Sequence, residues 1–298
     1  YYFVDRFSKI LEDRNIVTAG WEEIGLMKSY NEEGDTKVDL NEDFNQRGFA
    51  PYVWNTVWSW GDEDRGYKLA NAGFKVVLSN VSNNYFDLAY DKDPADPGYY
   101  WGGFVDTKKA WEFIPLNVYA EPLTNRDGVR LDVKEDFKNH VRLTEKGKSN
   151  IQGIQGQLWA ETVKGNEMLE YYIFPKMLGL VERAWAADPK WTSVEEDSIR
   201  FEMLNKDWNQ FASRIGYFEL PRLTYLNGGV NYRVAPPGIE LKEGVLYVNT
   251  NYPGAKFTYT TDGTEPTLQS SVYNQPVAVT GKKVKVVAFY PNGKRSRV

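Results

Sequence analysis

The sequence predicts an α/β chain, a parallel sheet under helical cover, followed by a smaller all-β segment. Three observations lead there. Helical and extended apolar periods alternate through the first two-thirds of the chain. From Val234 the helical period stops, and apolar alternation between turn residues takes over. Pro236, Pro237 and Gly238 punctuate the change. The expected domains are therefore residues 1–233 and 234–298.

Each element has its own signal. Phe3, Phe7, Ile10 and Leu11 fall on one face of an opening helix, and the apolar run at 16–20 predicts the first strand. Because the chain opens within a helical pattern, Tyr1 reads as the start of a fragment. Residues 43–48 lead into a strand at 50–54. An amphipathic helix at 62–72 closes on Gly73, which suits a left-handed C-cap, and a strand follows at 74–79. The long stretch 81–150 is rich in Pro, Gly, Asp and Asn, and only 106–113 reads as helix. A strand at 151–159, a helix at 166–185 kinked at Pro175, and a helix at 194–215 complete the region. Four β-α units in succession imply a parallel sheet, open or closed into a barrel. In both cases ligand residues gather at the C-terminal strand ends. In the tail, residues 245–248, 256–261 and 283–290 alternate between turns at Thr261 to Thr264 and at Pro291 to Gly293, as in an antiparallel β-sandwich.

Composition narrows the function. A net charge of −5 argues against a nucleic-acid surface. The absence of cysteine excludes disulfides, thiolate metal sites and cysteine nucleophiles. The single histidine, His140, lies in a charged stretch and reads as solvated, so neither a Ser-His-Asp triad nor a histidine metal site is expected. No glycine-rich phosphate loop follows a strand, and no cofactor is expected. No apolar run reaches membrane-spanning length, and no signal peptide is visible. Aromatic residues make up 15% of the chain, more than a plain core needs.

Many of those aromatics sit at or beyond strand ends, and several have carboxylates beside them. Trp21 with Glu22 and Glu23, Trp54 with Asn55, Tyr85 with Asp87, the segment Gly98 to Gly102 around Trp101, and Trp159 with Glu161 repeat the pattern. Aromatic faces stack on the C–H faces of pyranoses and carboxylates take up their hydroxyls, so the pattern points to a sugar pocket.

In this order the motifs resemble those of family-20 glycoside hydrolases, most of all bacterial chitobiase-type β-N-acetylhexosaminidases. Tyr172 to Leu178, Val181 to Trp185, and the tail around Tyr259 to Gly263 extend the resemblance over essentially the whole chain. It implies the second half of a (β/α)8 barrel, strands five to eight, followed by an immunoglobulin-like sandwich. It also implies removal of terminal β-linked GlcNAc or GalNAc, with the substrate's own acetamido oxygen as nucleophile, an exception to the usual two-carboxylate scheme. By resemblance, Tyr85 holds that oxygen, and Trp21, Trp54 and Trp159 wall the acetamido methyl and the ring. Glu161 grips O4 and O6, Asp87 shares the outer hydroxyls, and Trp101 is the platform for the next sugar. An export location, periplasmic or secreted, is implied in the same way.

The family's Asp-Glu pair, which orients the acetamide and protonates the leaving oxygen, has no counterpart in the chain. Gly61, Asp62 and Glu63 carry similar letters without the flanking His and second Gly, and Asp62 reads as a helix N-cap. The chain is therefore expected to need a separate N-terminal barrel half, or to self-associate, and to be inactive alone. Two alternatives stand beside this: a glycosidase pairing Glu22 or Glu23 with Glu161, and a non-catalytic carbohydrate-binding fragment.

Overall fold

Helix α1 (Tyr2–Glu12) forms on the expected period and leads to strand β1 (Ala19–Trp21). The strand starts later than the apolar run predicts, because Asn15 takes a positive φ of 55° and Ile16 and Val17 remain exposed. A hairpin comes next, β2 (Leu26–Tyr30) on β3 (Thr36–Leu40), which hydrophobic alternation does not announce. Helix α2 (Glu42–Gln46) is capped by the Asn41 side chain and passes into β4 (Ala50–Val53). Helix α3 (Arg65–Ala72) stops where predicted, at Gly73 with φ 112°. Then come β5 (Val76–Leu78), the single turn α4 (Val81–Asn84) and α5 (Thr107–Glu112), whose first turn is capped by Asp106. Two further turns, α6 (Val133–Asp136) and α7 (Glu145–Lys148), are capped by Asp132 and Thr144 and correct the expectation of a single helix in this stretch. Strand β6 (Ile151–Ile154) is shorter than predicted: its register shifts opposite Val76 and Val77, and pairing resumes only as a bridge between Tyr85 and Gln157.

The structure is a computed structural model describing residues 1–30, 36–280, 283–290 and 293–298. It divides into two bodies, Tyr1–Val163 with Lys176–Glu195, and Lys164–Pro175 with Glu196–Val298. In place of the kinked helix expected at 166–185 there are two, α8 (Asn166–Ile173) in the second body and α9 (Lys176–Trp185) in the first. Pro175 ends the first helix, since it can neither donate to the ladder nor leave room for the preceding turn.

In the first body β1, β4, β5 and β6 form one parallel sheet in chain order. Val53, Val76 and Leu78 are fully buried and pack with Trp58, Leu69, Phe74 and Phe113 beneath the helices. Because all four strands run the same way, their C-terminal ends open on one side.

In the second body α10 (Asp197–Arg214) runs on through a wider turn into α11 (Leu220–Leu223). The tail holds β7 (Gly238–Lys242), β8 (Val245–Asn249), β9 (Lys256–Thr260), β10 (Ser271–Tyr273), β11 (Val277–Ala278) and β12 (Lys285–Phe289). They make two antiparallel three-stranded sheets, ordered β10-β9-β12 and β11-β8-β7. The turn after β9 is closed by Asp262, which accepts from the Thr264 amide at 3.0 Å. Of the turn expected at Pro291 to Gly293, the first two residues lie outside the described ones. Among the described residues no helix is long and apolar enough to cross a membrane.

Candidate active site

The site is built from the turns that leave the strand ends. Trp21 ends β1, and the next turn buries Glu22 beneath the sheet end, where its carboxylate accepts the Trp54 and Asn55 amides, both at 3.0 Å. One carboxylate thus ties the ends of β1 and β4 together. Its other oxygen pairs with Arg65 of α3. Burial still raises the Glu22 carboxyl above its ordinary value, with Arg65 and the two amides opposing. Of the two adjacent acids, Glu22 is therefore a strut, and Glu23 faces the cavity.

Past β5, the Val81 amide bonds the Thr56 hydroxyl at 3.1 Å and α4 delivers Tyr85. Parallel bonds then run from the Gln157 amide to the Asn84 carbonyl, 2.8 Å, and from the Phe86 amide to the Gln157 carbonyl, 2.7 Å. These extend the β5–β6 ladder beyond its bulge and place Tyr85 and Trp159 together, with ring centroids 6.4 Å apart. The Lys176 ammonium, fully buried at the start of α9, donates to the carbonyls of Phe86 (2.8 Å) and Leu88 (2.6 Å), straddling Asp87.

The Trp101 loop docks on the same turn. The Tyr99 amide donates to the Asp87 carbonyl at 3.2 Å, and the Ala89 amide to the Tyr99 carbonyl at 2.8 Å. Gly98 makes this approach possible: its φ is 124°, and a Cβ would lie 2.7 Å from backbone atoms of both Asp87 and Ala89. Trp101 then stands nearly perpendicular to Tyr85 and Trp54, at 6.0 and 6.4 Å.

All seven residues named from the sequence, Trp21, Trp54, Tyr85, Asp87, Trp101, Trp159 and Glu161, line one cavity of about 470 Å³. Glu23 and Tyr99 line it too. Sequence reasoning misses Tyr99 as a lining residue, although it lies in the same short segment as Trp101. Burial raises the Tyr85 hydroxyl above the ordinary phenol value, with a Trp159 hydrogen bond opposing. Tyr85 is thus a neutral donor at any working pH. Burial likewise raises the Asp87 carboxyl, opposed by amides and by Lys176. Its Oδ1 finds no hydrogen-bond partner among the described residues. The cavity combines apolar walls, a fixed hydroxyl donor and three carboxylates, the equipment for holding a polyhydroxylated ring.

Gly61, Asp62 and Glu63 stand outside it. The expected N-cap role of Asp62 is not observed: α3 begins at Arg65, and Asp62 instead pairs with Arg65 and accepts from Asn55 Nδ2 at 3.1 Å. Glu63 accepts the Trp60 and Gly61 amides and meets His140 Nε2 at 3.0 Å. His140 is accordingly not a solvated residue. It packs edge-on against Phe137 at 5.0 Å and braces a buried carboxylate.

With the geometry in place, comparison with known proteins gives the class. The model for the glycosyl hydrolase family 20 catalytic domain matches residues 1–188, and that for the chitobiase/β-hexosaminidase C-terminal domain matches 219–298. The chain belongs to glycosyl hydrolase family 20. It is 31% identical over 284 residues to a β-hexosaminidase of Vibrio vulnificus, covering 88% of this chain and 31% of that protein. To the N,N'-diacetylchitobiase of Vibrio harveyi it is 29% identical over 306 residues, 95% of this chain and 32% of the relative. The chain thus spans about a third of the length of the curated relatives it matches. A crystal structure of a family-20 exo-β-N-acetylglucosaminidase from Vibrio harveyi with N-acetylglucosamine superposes with a TM-score of 0.48 and 22% identity, covering 78% of this chain and 27% of that one.

Proposed function

We propose that this chain supplies the sugar pocket of a β-N-acetylhexosaminidase that removes terminal β-linked N-acetylhexosamine from chitooligosaccharides or glycans. In this proposal residues 1–233 form the second half of a (β/α)8 barrel, and residues 234–298 an immunoglobulin-like domain. The observation that carries it is the convergence of seven sequence-read residues on one cavity at the C-terminal ends of four parallel strands. Family membership supplies the reaction class.

The chemistry derives from the groups. The acetamido carbonyl oxygen of the substrate bonds to the anomeric carbon from below while the glycosidic bond breaks. The leaving oxygen takes a proton from a general acid, and positive charge spreads over the acetamide. Water then opens the ring so formed, and configuration is retained. The Tyr85 hydroxyl donates to the attacking oxygen and holds it in line, a contribution that orientation alone makes large. Trp21, Trp54 and Trp159 enclose the acetamido methyl and the ring, excluding water from the reacting centre. Asp87 and Glu161 accept from outer hydroxyls, and Trp101 stacks on the next sugar. The acid and the acetamide-orienting carboxylate come from a polypeptide segment other than this chain.

The test uses the full-length protein with 4-nitrophenyl N-acetyl-β-glucosaminide and the matching plain β-glucoside. Hydrolysis of the first alone is expected. Equal cleavage of both would overturn the acetamido-dependent mechanism and favour Glu23 with Glu161, two of the three carboxylates that line the cavity.

A further inference from the structure

We propose that Trp60 is a second sugar-stacking platform outside Trp101, so that the site binds a β-linked N-acetylhexosamine chain of at least three units. The inference rests on the assignment of Trp101 to the second sugar unit. Trp60 lies beyond the cavity lining and is 49% exposed, so one face of its ring is open to a ligand. Its ring centroid is 6.3 Å from that of Trp101, a spacing on the scale of one sugar unit, with the planes 34° apart. Trp54 and Tyr85, by contrast, stand at 75° and 84° to Trp101, as walls do to a floor. Trp60 therefore continues the floor outward, where the chain of a bound oligosaccharide must leave the pocket.

The loop that carries it is built to hold the indole out. Ser59 and Gly61, its neighbours, both take positive φ, 79° and 92°. For Ser59 this is a strained conformation that its surroundings must impose. The imposing groups are identifiable. The Glu63 carboxylate, 4% exposed, accepts the amides of Trp60 and Gly61 at 2.9 and 3.2 Å, and His140 braces it at 3.0 Å. On the other side Trp58 is fully buried against Tyr119 and Phe137. An indole lying free on the surface by chance needs no such mounting. A rigid aromatic presented to solvent binds a sugar face at little entropic cost.

The test is titration of the full-length protein and its Trp60→Ala variant with thio-linked, uncleavable di- and trisaccharides of N-acetylglucosamine. The wild type should hold the trimer more tightly than the dimer. Trp60→Ala should lose about fivefold in trimer affinity, the size of one aromatic contact, and nothing for the dimer. Trp60→Phe should keep most of the gain, and Glu63→Ala, which frees the loop, should lose it. Equal losses on dimer and trimer would show that Trp60 only buttresses Trp101, and an unchanged trimer would show no contact; either overturns the proposal. Tighter binding of plain glucose oligomers of the same lengths would instead sink the hexosaminidase assignment. The third-unit dependence on Trp60 would still be read, on whichever oligomer binds.

Discussion

Tyr85 concentrates the functional argument in one hydroxyl. It is 3% exposed, it lines the cavity, and its environment keeps it protonated. A donor that matters most while charge develops on the acetamide stabilises the transition state more than the bound substrate. Tyr85→Phe in the full-length enzyme should therefore lower kcat about 10- to 100-fold with little change in KM. A loss confined to KM would reassign the hydroxyl to ground-state binding. The neighbouring acids make the opposite point about what single residues reveal. Glu22 and Glu23 are adjacent and chemically alike, and only the turn after β1 decides that one is a strut and the other faces the ligand.

At the level of elements, two devices hold the pocket wall, and each can be broken. Gly98→Ala forces a Cβ into the backbone of Asp87 and Ala89 and strains a φ of 124°. It should destabilise the protein by about 2 kcal/mol and displace Trp101 with its loop. Denaturant midpoints would measure the first effect, and quenching of Trp101 by oligosaccharide the second. The turn that carries Tyr85 has its own anchor. Asn83 donates to Glu121 Oε2 at 2.8 Å and to the Lys109 carbonyl at 3.0 Å. Burial pushes the Glu121 carboxyl from 4.5 up to about 8, against Lys109 and with Glu112. Between those values the folded state holds a proton that the unfolded chain has released, so stability falls as pH rises through the window. The denaturant midpoint should drop from pH 5 to pH 8.5, and Glu121→Gln should flatten that slope. A midpoint in the native chain that rises over this range would refute the assignment. Such anchors explain which elements are legible in the sequence. The parallel strands and the site at their ends can be read because Gly, Asp and aromatic residues mark each end. The β2–β3 hairpin cannot, since β2 buries only Leu26 and shows no alternation. Nor can the Glu63–His140 pair, because 77 residues separate its members and no local pattern joins them.

For the whole molecule, the proposed half-barrel carries a prediction about association. The sheet ends at β1 and β6, and Phe3, Phe7 and Ile10 of α1 are 75%, 47% and 46% exposed. Open strand edges and an apolar helix face recruit partners. Residues 1–298 alone should self-associate and release no nitrophenol from the aryl N-acetylglucosaminide, whereas the full-length protein turns over. A monomer with full activity, by solution mass and rate, would refute the half-barrel. The buried ammonium of Lys176 adds a consequence in time. It serves the carbonyls of Phe86 and Leu88 across 90 and 88 residues of chain. Contacts so distant in sequence form late, because the long intervening chain must be brought together first. During synthesis the strands and helices up to residue 150 can assemble while those two carbonyls still face water. The Asp87 turn is thus sealed only after α9 has been made, later than every residue that lines the cavity.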